Sequence, residues 1–262
     1  MRDEHYQFPQ IAREAGRLFF KRTRLRPFVF SCSTDEKTPR MRGLGSSATI
    51  RLGILYGLNQ LAGSPLDQVS IFHVCAELEG HPDNAAPSSF GGFTVVRDGT
   101  VQRFQVSSRL YFVLLIPDFE IKTSAARKIL PSRIRRDAAV ESCGNACAIT
   151  AAFVARDYEK LRGAFTDQLH QPFRKKLIPI LPRVIAAAEK AGALGAFLSG
   201  SGSTICAVAL GNARPIAAAM QHAARATSSR TIITTADNRG VQILKVRDPK
   251  TASPARTEIR NS

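Results

Sequence analysis

The stretch Gly43-Leu44-Gly45-Ser46-Ser47-Ala48 lies between a polar segment and a run of apolar residues at helical spacing that continues to about Leu61. Its two glycines permit a sharp turn and a close approach of the backbone to a ligand. A helix that begins at Ser46 would offer unpaired N–H groups and the positive end of its dipole. Read alone, these features fit either a cradle for a nucleotide phosphate or an ordinary helix start capped by serines. The loop is not a Walker A loop, because no lysine follows the second glycine.

Two further clusters accompany this loop. The segment Leu198-Ser199-Gly200-Ser201-Gly202-Ser203-Thr204 is a second glycine-rich loop between strand-like runs, and read alone it fits either a close approach to a ligand or a mobile turn. The segment Glu77-Leu78-Glu79-Gly80-His81-Pro82-Asp83-Asn84 crowds ionisable groups at a helix end and a turn. One of its carboxylates could hold Mg²⁺, which prefers one or two carboxylates plus substrate phosphates. Asp83 could bind a substrate ammonium group.

The rest of the chain predicts an α+β protein, because strands and helices mix without strict βαβ alternation. Helices are expected at about 8–20, 46–61, 66–79, 123–129, 137–156, 157–169, 180–191 and 213–225. Strands are expected at about 25–33, 91–97, 101–106, 110–116, 194–198, 204–209, 229–234 and 239–245. We expect an N-terminal domain over 1–106, a C-terminal domain over 107–246, mixed sheets packed on helices, and a disordered tail over 247–262.

Composition narrows the function class. The 262 residues carry a net charge of +16, but the basic residues are spread along the chain, which argues against a nucleic-acid binder and favours an enzyme for anionic substrates. The sequence suggests neither a membrane span nor a secretory leader, so a cytoplasmic protein without a membrane or nucleic-acid partner is expected. Five scattered cysteines argue against a disulfide framework.

The order of the motifs carries a family resemblance. The chain resembles the GHMP kinases and, among them, the homoserine kinases, in the order of three motifs. These are GLGSSA at 43–48, EGHPDN-AAP-SS-FGGF at 79–93 and SGSGST at 199–204. The similarity extends from about Leu25 to Leu244 and includes Lys122–Arg127 and Gln171–Arg174.

This resemblance implies a two-domain GHMP kinase fold and ATP-dependent phosphorylation of the L-homoserine hydroxyl to O-phospho-L-homoserine, a step toward threonine, with Mg²⁺. It implies nucleotide binding by Arg42, Gly43, Leu44, Gly45, Ser46 and Ser47. It implies metal binding by Ser46 or Ser47 and by Glu79 or, less favoured, Glu77. It implies substrate binding by His81, Asp83, Asn84, Thr123, Arg127 and Arg174. The catalytic residues that it implies are Glu79, Arg127 and Arg174. The loop with Gly200, Ser201 and Gly202 would support the phosphate loop.

The sequence departs from the family pattern at three places. Family members begin with strands and a segment that precede the position of Met1, so the first strands are expected to be absent, leaving a sheet edge exposed. A misassigned start, an inactive remnant and strands supplied by a partner chain all fit this. Met41 stands where the family has a glycine, and Ser203 where it has a proline. Another small-molecule GHMP kinase remains the alternative activity. The sequence leaves the oligomeric state open, and a homodimer is one of the states it allows.

Overall fold

The computed structural model describes residues 4–35, 37–246 and 256–260. The chain divides into two compact units. The first unit comprises residues 1–37, 45–105 and 237–262, and the second comprises 38–44 and 106–236. The glycine loop at 43–45 therefore runs from the second unit into the first.

The elements are numbered in chain order. The helices are α1 (Glu4–Thr23), α2 (Ser46–Leu61), α3 (Gln68–Glu79), α4 (Ala85–Phe90), α5 (Thr123–Lys128), α6 (Arg136–Ala155), α7 (Gln171–Arg174), α8 (Leu181–Lys190) and α9 (Arg214–Ala223), with a 3₁₀ helix at Tyr158–Leu161. The strands are β1 (Phe93–Arg97), β2 (Thr100–Phe104), β3 (Leu110–Pro117), β4 (Gly195–Leu198), β5 (Ile205–Leu210), β6 (Ser229–Thr235), β7 (Gln242–Val246) and β8 (Arg256–Arg260).

In the first unit, helices α1, α2 and α3 pack around one apolar core. Phe19, Leu52, Leu55 and Phe72 are fully buried in it. Burying side chains of this size stabilises the unit by roughly 1.5–3 kcal/mol each. This core fixes where α2 begins and where α3 ends, and those two helix termini carry the residues of the candidate site.

In the second unit, one antiparallel sheet has the strand order β4-β5-β3-β6. Helices α8 and α9 pack together and against its strands. Val113, Leu115, Val184, Ala207 and Met220 are buried in their shared core. The sheet holds the chain on either side of Ser199–Thr204, so that glycine-rich loop is anchored at both ends.

The α+β class is confirmed, with one refinement of the sheets. Every described strand pairing is antiparallel, although mixed sheets were expected. In the second unit this follows because β3 lies between β5 and β6 and runs opposite to both. Asp98 and Gly99 join β1 to β2 in a hairpin, with Arg97 paired to Thr100.

Two other expectations were wrong. Residues 25–33 contain no strand: Arg24 has φ 57°, no neighbouring strand pairs with the segment among the described residues, and Phe28 instead packs edge-to-face on Phe20. A helix over 157–169 is reduced to the 3₁₀ turn Tyr158–Leu161, because positive φ values at Arg156 and Gly163 interrupt helical geometry on both sides. Conversely, the short helix α4 covers Ala85–Phe90, where the sequence predicted neither a helix nor a strand.

The prediction of a disordered tail over 247–262 is wrong for residues 256–260. Arg256–Arg260 forms strand β8, which pairs antiparallel with β7. The remaining positions of that segment, 247–255 and 261–262, lie outside the described residues.

Helix α6 is the one helix among the described residues that is long and apolar enough to cross a membrane by length and composition, whereas the sequence suggested no such window. Only 11% of its most apolar window is buried. Part of its polar side forms hydrogen bonds within the second unit. The Asn145 side chain donates to the Thr166 carbonyl at 2.7 Å, and the backbone N–H of Gln168 donates to the Ser142 hydroxyl at 3.2 Å.

Candidate active site

The glycine loop leads directly into the first turn of α2. Gly45 precedes the helix with φ 73°, and its carbonyl accepts the Thr49 N–H at 3.1 Å. No side chain caps this helix start. Because the first four N–H groups of an α-helix have no partner within the helix, they and the helix dipole are available to a phosphate.

Gly43 packs against the second glycine loop within the second unit. The Ser199 hydroxyl donates to the Gly43 carbonyl at 2.7 Å, and the Thr204 N–H donates to the Arg42 carbonyl at 3.1 Å. A Cβ atom added to Gly43 would lie 2.1 Å from the Ser199 carbonyl oxygen and 2.8 Å from the Gly202 nitrogen. The second glycine loop therefore fixes the backbone at Gly43, and only glycine fits at this contact.

Ser47 and Glu79 bring two oxygen ligands together in the first unit. The Ser47 hydroxyl donates to Glu79 Oε1 at 2.7 Å, and the Glu79 side chain is 7% exposed. Arg51, one turn after Ser47 on α2, donates to both of these oxygens. Glu77 instead pairs with Arg22, and both of those side chains are about half exposed. Of the two candidate carboxylates, Glu79 is the one that contacts the first turn of α2.

The oxygen pair suits Mg²⁺ chemically. The described residues contain no group of three or more His, Cys, Asp and Glu side chains that could form an all-protein metal cage. Mg²⁺ is usually bound through one or two carboxylates together with substrate phosphates and water. A buried carboxylate and a hydroxyl beside a helix N-terminus fit that pattern.

The turn His81-Pro82-Asp83-Asn84 lies beside the same loop. His81 Nδ1 bonds to Asp83 Oδ1, which also accepts the Asn84 N–H at 3.0 Å. The Asn84 side chain is the nearest neighbour of a Cβ added at Gly45, at 3.7 Å. The Asp83 side chain is 74% exposed, so its carboxylate is accessible to a ligand.

In the second unit, Thr123, Arg127 and Arg174 gather near the Gly200–Gly202 loop. Arg174 Nη1 donates to the Gly200 carbonyl at 2.8 Å, and Thr123 Oγ1 lies 3.4 Å from Ser201 Oγ. Burial lowers the pKa of the Arg174 guanidinium, Asp167 opposes the shift, and Arg127 adds to it. Arg127 is exposed, and among the described residues its guanidinium has neither a hydrogen-bond nor an ion-pair partner.

The remaining expected nucleotide-binding residues differ in accessibility. Arg42 turns its guanidinium to the Asp118 carbonyl at 2.5 Å and to Glu120 at 3.3 Å, so that group is already engaged. Ser46 is buried, with 8% exposure, and Leu44 is partly exposed. Arg51 was missed from the sequence, although its spacing of four from Ser47 places both residues on one face of α2.

Met41 has φ 53°, a left-handed conformation that costs a non-glycine residue of order 1 kcal/mol. We expect Met41→Gly to be more stable than Met41→Ala by about 1 kcal/mol, because both remove the methionine side chain beyond Cβ and only glycine tolerates the angle. Urea unfolding of the two variants measures the difference. Equal stability would show that the backbone at this position is not strained.

Two family models match the chain. The GHMP kinases N terminal domain matches residues 10–92, and the GHMP kinases C terminal domain matches residues 149–226. A homoserine kinase from Caldicellulosiruptor bescii is 39% identical over 211 residues, covering 76% of this chain and 69% of the relative. A homoserine kinase from Halothermothrix orenii is 37% identical over 232 residues, covering 86% and 74%.

The solved structures agree with this assignment. A homoserine kinase from Cytophaga hutchinsonii superposes with a TM-score of 0.73 at 33% identity, covering 78% of this chain and 69% of that one. A mevalonate kinase from Methanococcus jannaschii has a TM-score of 0.64 at 16% identity, which shows a shared fold alone. The family models and the similar homoserine kinases therefore show that this chain belongs to the GHMP kinase family and, within it, to the homoserine kinases.

Proposed function

We propose that this chain transfers the γ-phosphoryl group of ATP to the side-chain hydroxyl of L-homoserine, giving O-phospho-L-homoserine and ADP in the cytoplasm. The observation that carries the proposal is the pairing of Ser47 with Glu79 at the N-terminus of α2, because a buried carboxylate, a hydroxyl and free helix N–H groups form a Mg²⁺-nucleotide site. The similarity to homoserine kinases supports the choice of acceptor.

In this proposal the first turn of α2 binds the triphosphate. The N–H groups that follow Gly45 bind phosphate oxygens, and Ser47 and Glu79 hold Mg²⁺. When bound, Mg²⁺ neutralises phosphate charge that builds up as the phosphoryl group moves. Glu79 is preferred to Glu77 because Glu79 contacts Ser47, whereas Glu77 pairs with Arg22.

The amino-acid substrate would be held through its two charged groups. Arg127 is exposed and suited to clamp a carboxylate with two hydrogen bonds. Asp83 offers an accessible carboxylate to the substrate ammonium, while His81 and the Asn84 N–H fix its orientation. Thr123 would add a hydroxyl beside Ser201. Arg174 fits a positioning role better than direct contact, since it already donates to the Gly200 carbonyl.

No side chain is assigned as a general base. Phosphoryl transfer depends mainly on alignment of the attacking hydroxyl and on charge neutralisation. Holding the carboxylate and the ammonium of homoserine leaves its hydroxyl as the one free nucleophile of the substrate. Selectivity among amino-acid substrates would therefore come from the distance between the charged groups of the substrate and its hydroxyl.

The test is a substrate panel with the purified chain. ADP release is followed by a coupled assay with ATP and L-homoserine, L-serine, mevalonate or a sugar, and ³¹P NMR identifies the product. We expect kcat/KM for homoserine to exceed that for the others by about 100-fold or more, because sites built around polar substrate groups reject analogues strongly. A preference for mevalonate or a sugar would overturn the acceptor. Mg-ATP binding without turnover would favour a non-catalytic protein.

A further inference from the structure

Arg51 occupies an unusual position relative to the proposed metal ligands. Its Nη1 atom donates both to Ser47 Oγ and to Glu79 Oε1, the two oxygens that also bond to each other at 2.7 Å. One cationic nitrogen thus contacts both atoms that would bind Mg²⁺. Mg²⁺ binds oxygen ligands at only about 2.0–2.1 Å. A Mg²⁺ ion bound to both oxygens would therefore occupy the position that the Arg51 guanidinium now takes.

The burial of these groups explains why a cation is needed there. The Glu79 side chain is 7% exposed and that of Arg51 is 13% exposed. A buried carboxylate without a partner is strongly destabilising, so some positive charge must neutralise Glu79 whenever Mg²⁺ is absent. Arg51 meets this need from within the first unit.

Arg51 also has a second acidic partner outside the proposed metal position. Its Nη2 atom lies 3.4 Å from Glu14 Oε2 on α1, a side chain that is 44% exposed. Its Nε atom is buried and has no hydrogen-bond partner among the described residues. The arginine therefore does not satisfy all its donors while it contacts Glu79, and Glu14 offers an acceptor of the right charge outside the metal position.

We propose that Arg51 is an internal counter-ion that competes with Mg²⁺ for the Ser47–Glu79 oxygens. In the metal-free chain it neutralises Glu79 and holds the carboxylate toward Ser47. When the metal-nucleotide binds, Arg51 leaves Glu79 and keeps its pair with Glu14. Its role is positioning, because it acts through Glu79. This inference rests on the proposed function, in which Glu79 is the metal ligand.

The test measures metal binding rather than turnover. Mn²⁺ binding to the full chain is followed by electron paramagnetic resonance, alone and with a non-hydrolysable ATP analogue. We expect Arg51→Met to bind Mn²⁺ about tenfold more tightly, because the carboxylate loses its competing cation. The metal-free variant should melt at a lower temperature than the unmodified chain, and Mn²⁺ should raise its Tm by more. Unchanged or weaker Mn²⁺ binding by Arg51→Met would overturn the competition.

A milder variant guards against misfolding of the first. Arg51→Lys keeps the charge but cannot offer the planar fork of an arginine. We expect it to bind Mn²⁺ about threefold more tightly than the unmodified chain, between the two other proteins. Mn²⁺ affinity equal to or below that of the unmodified chain would again count against the proposal.

Matched variants separate this inference from the metal assignment. Arg22→Met breaks the corresponding arginine–glutamate pair at Glu77 and should leave Mn²⁺ affinity unchanged. If it tightens binding instead, Glu77 is the ligand. Glu79→Gln should weaken Mn²⁺ binding with or without Arg51→Met; if it does not, the proposed metal site fails. If Glu79→Gln weakens binding while Arg51→Met does not strengthen it, only the competition fails.

Discussion

Gly43→Ala is expected to destabilise the second unit by about 3 kcal/mol. The new Cβ would lie 2.1 Å from the Ser199 carbonyl oxygen and 2.8 Å from the Gly202 nitrogen, and neither is the movable end of a side chain. The residue also has φ 74°, which alone costs alanine about 1 kcal/mol relative to glycine. The two loops must therefore separate, breaking the 2.7 Å bond from Ser199 Oγ to Gly43. Urea unfolding measures the loss, and weaker nucleotide binding should accompany it.

Gly211→Ala is the control that isolates the contact from the angle. Gly211 is in the same unit and has φ 77°, but a Cβ there would have no neighbour within 4 Å. Gly211→Ala should lower the free energy of unfolding by only about 1 kcal/mol, the cost of placing alanine at a positive φ. If Gly43→Ala costs no more than this control, the contact between the two glycine loops does not constrain the backbone.

The contrast between local and non-local signals explains which elements could be predicted. Helix α2 has apolar residues at helical spacing and a glycine before its first turn, so its bounds follow from nearby residues. The segment 25–33 shows the opposite case. Phe28 and Phe30 alternate as in a strand, but a strand requires a neighbour to pair with, and alternation alone does not supply one.

The candidate site shows the same limit at the level of side chains. The sequence places Glu77 and Glu79 near a helix end but leaves open which of them could meet Ser47. Residues two apart on a helix point about 200° away from each other, so only one can face α2. The packing of α3 on α2 decides for Glu79. The bonds of Arg174 to the Ala126 and Gly200 carbonyls depend likewise on packing, which no local pattern encodes.

Glu79→Gln is expected to lower kcat with homoserine by about 10²–10³-fold, the usual scale for removing one electrostatic stabiliser of a transition state. The amide keeps the shape of the side chain and an oxygen near Ser47, but it loses the negative charge that attracts Mg²⁺. The coupled ADP assay at saturating homoserine measures kcat. Raising the Mg²⁺ concentration should recover part of the activity, because the weakened step is metal binding.

Glu77→Gln distinguishes a metal role from a general loss of negative charge in α3. Glu77 lies two residues away and pairs with Arg22, with both side chains about half exposed, so its loss should change stability by at most about 1 kcal/mol and leave kcat within about twofold. The two variants have the same chemistry and differ only in contact with Ser47. A large loss of kcat in Glu77→Gln with a small one in Glu79→Gln would exchange their roles. Equal losses would mean that charge near the helix end, rather than a specific ligand, supports the reaction.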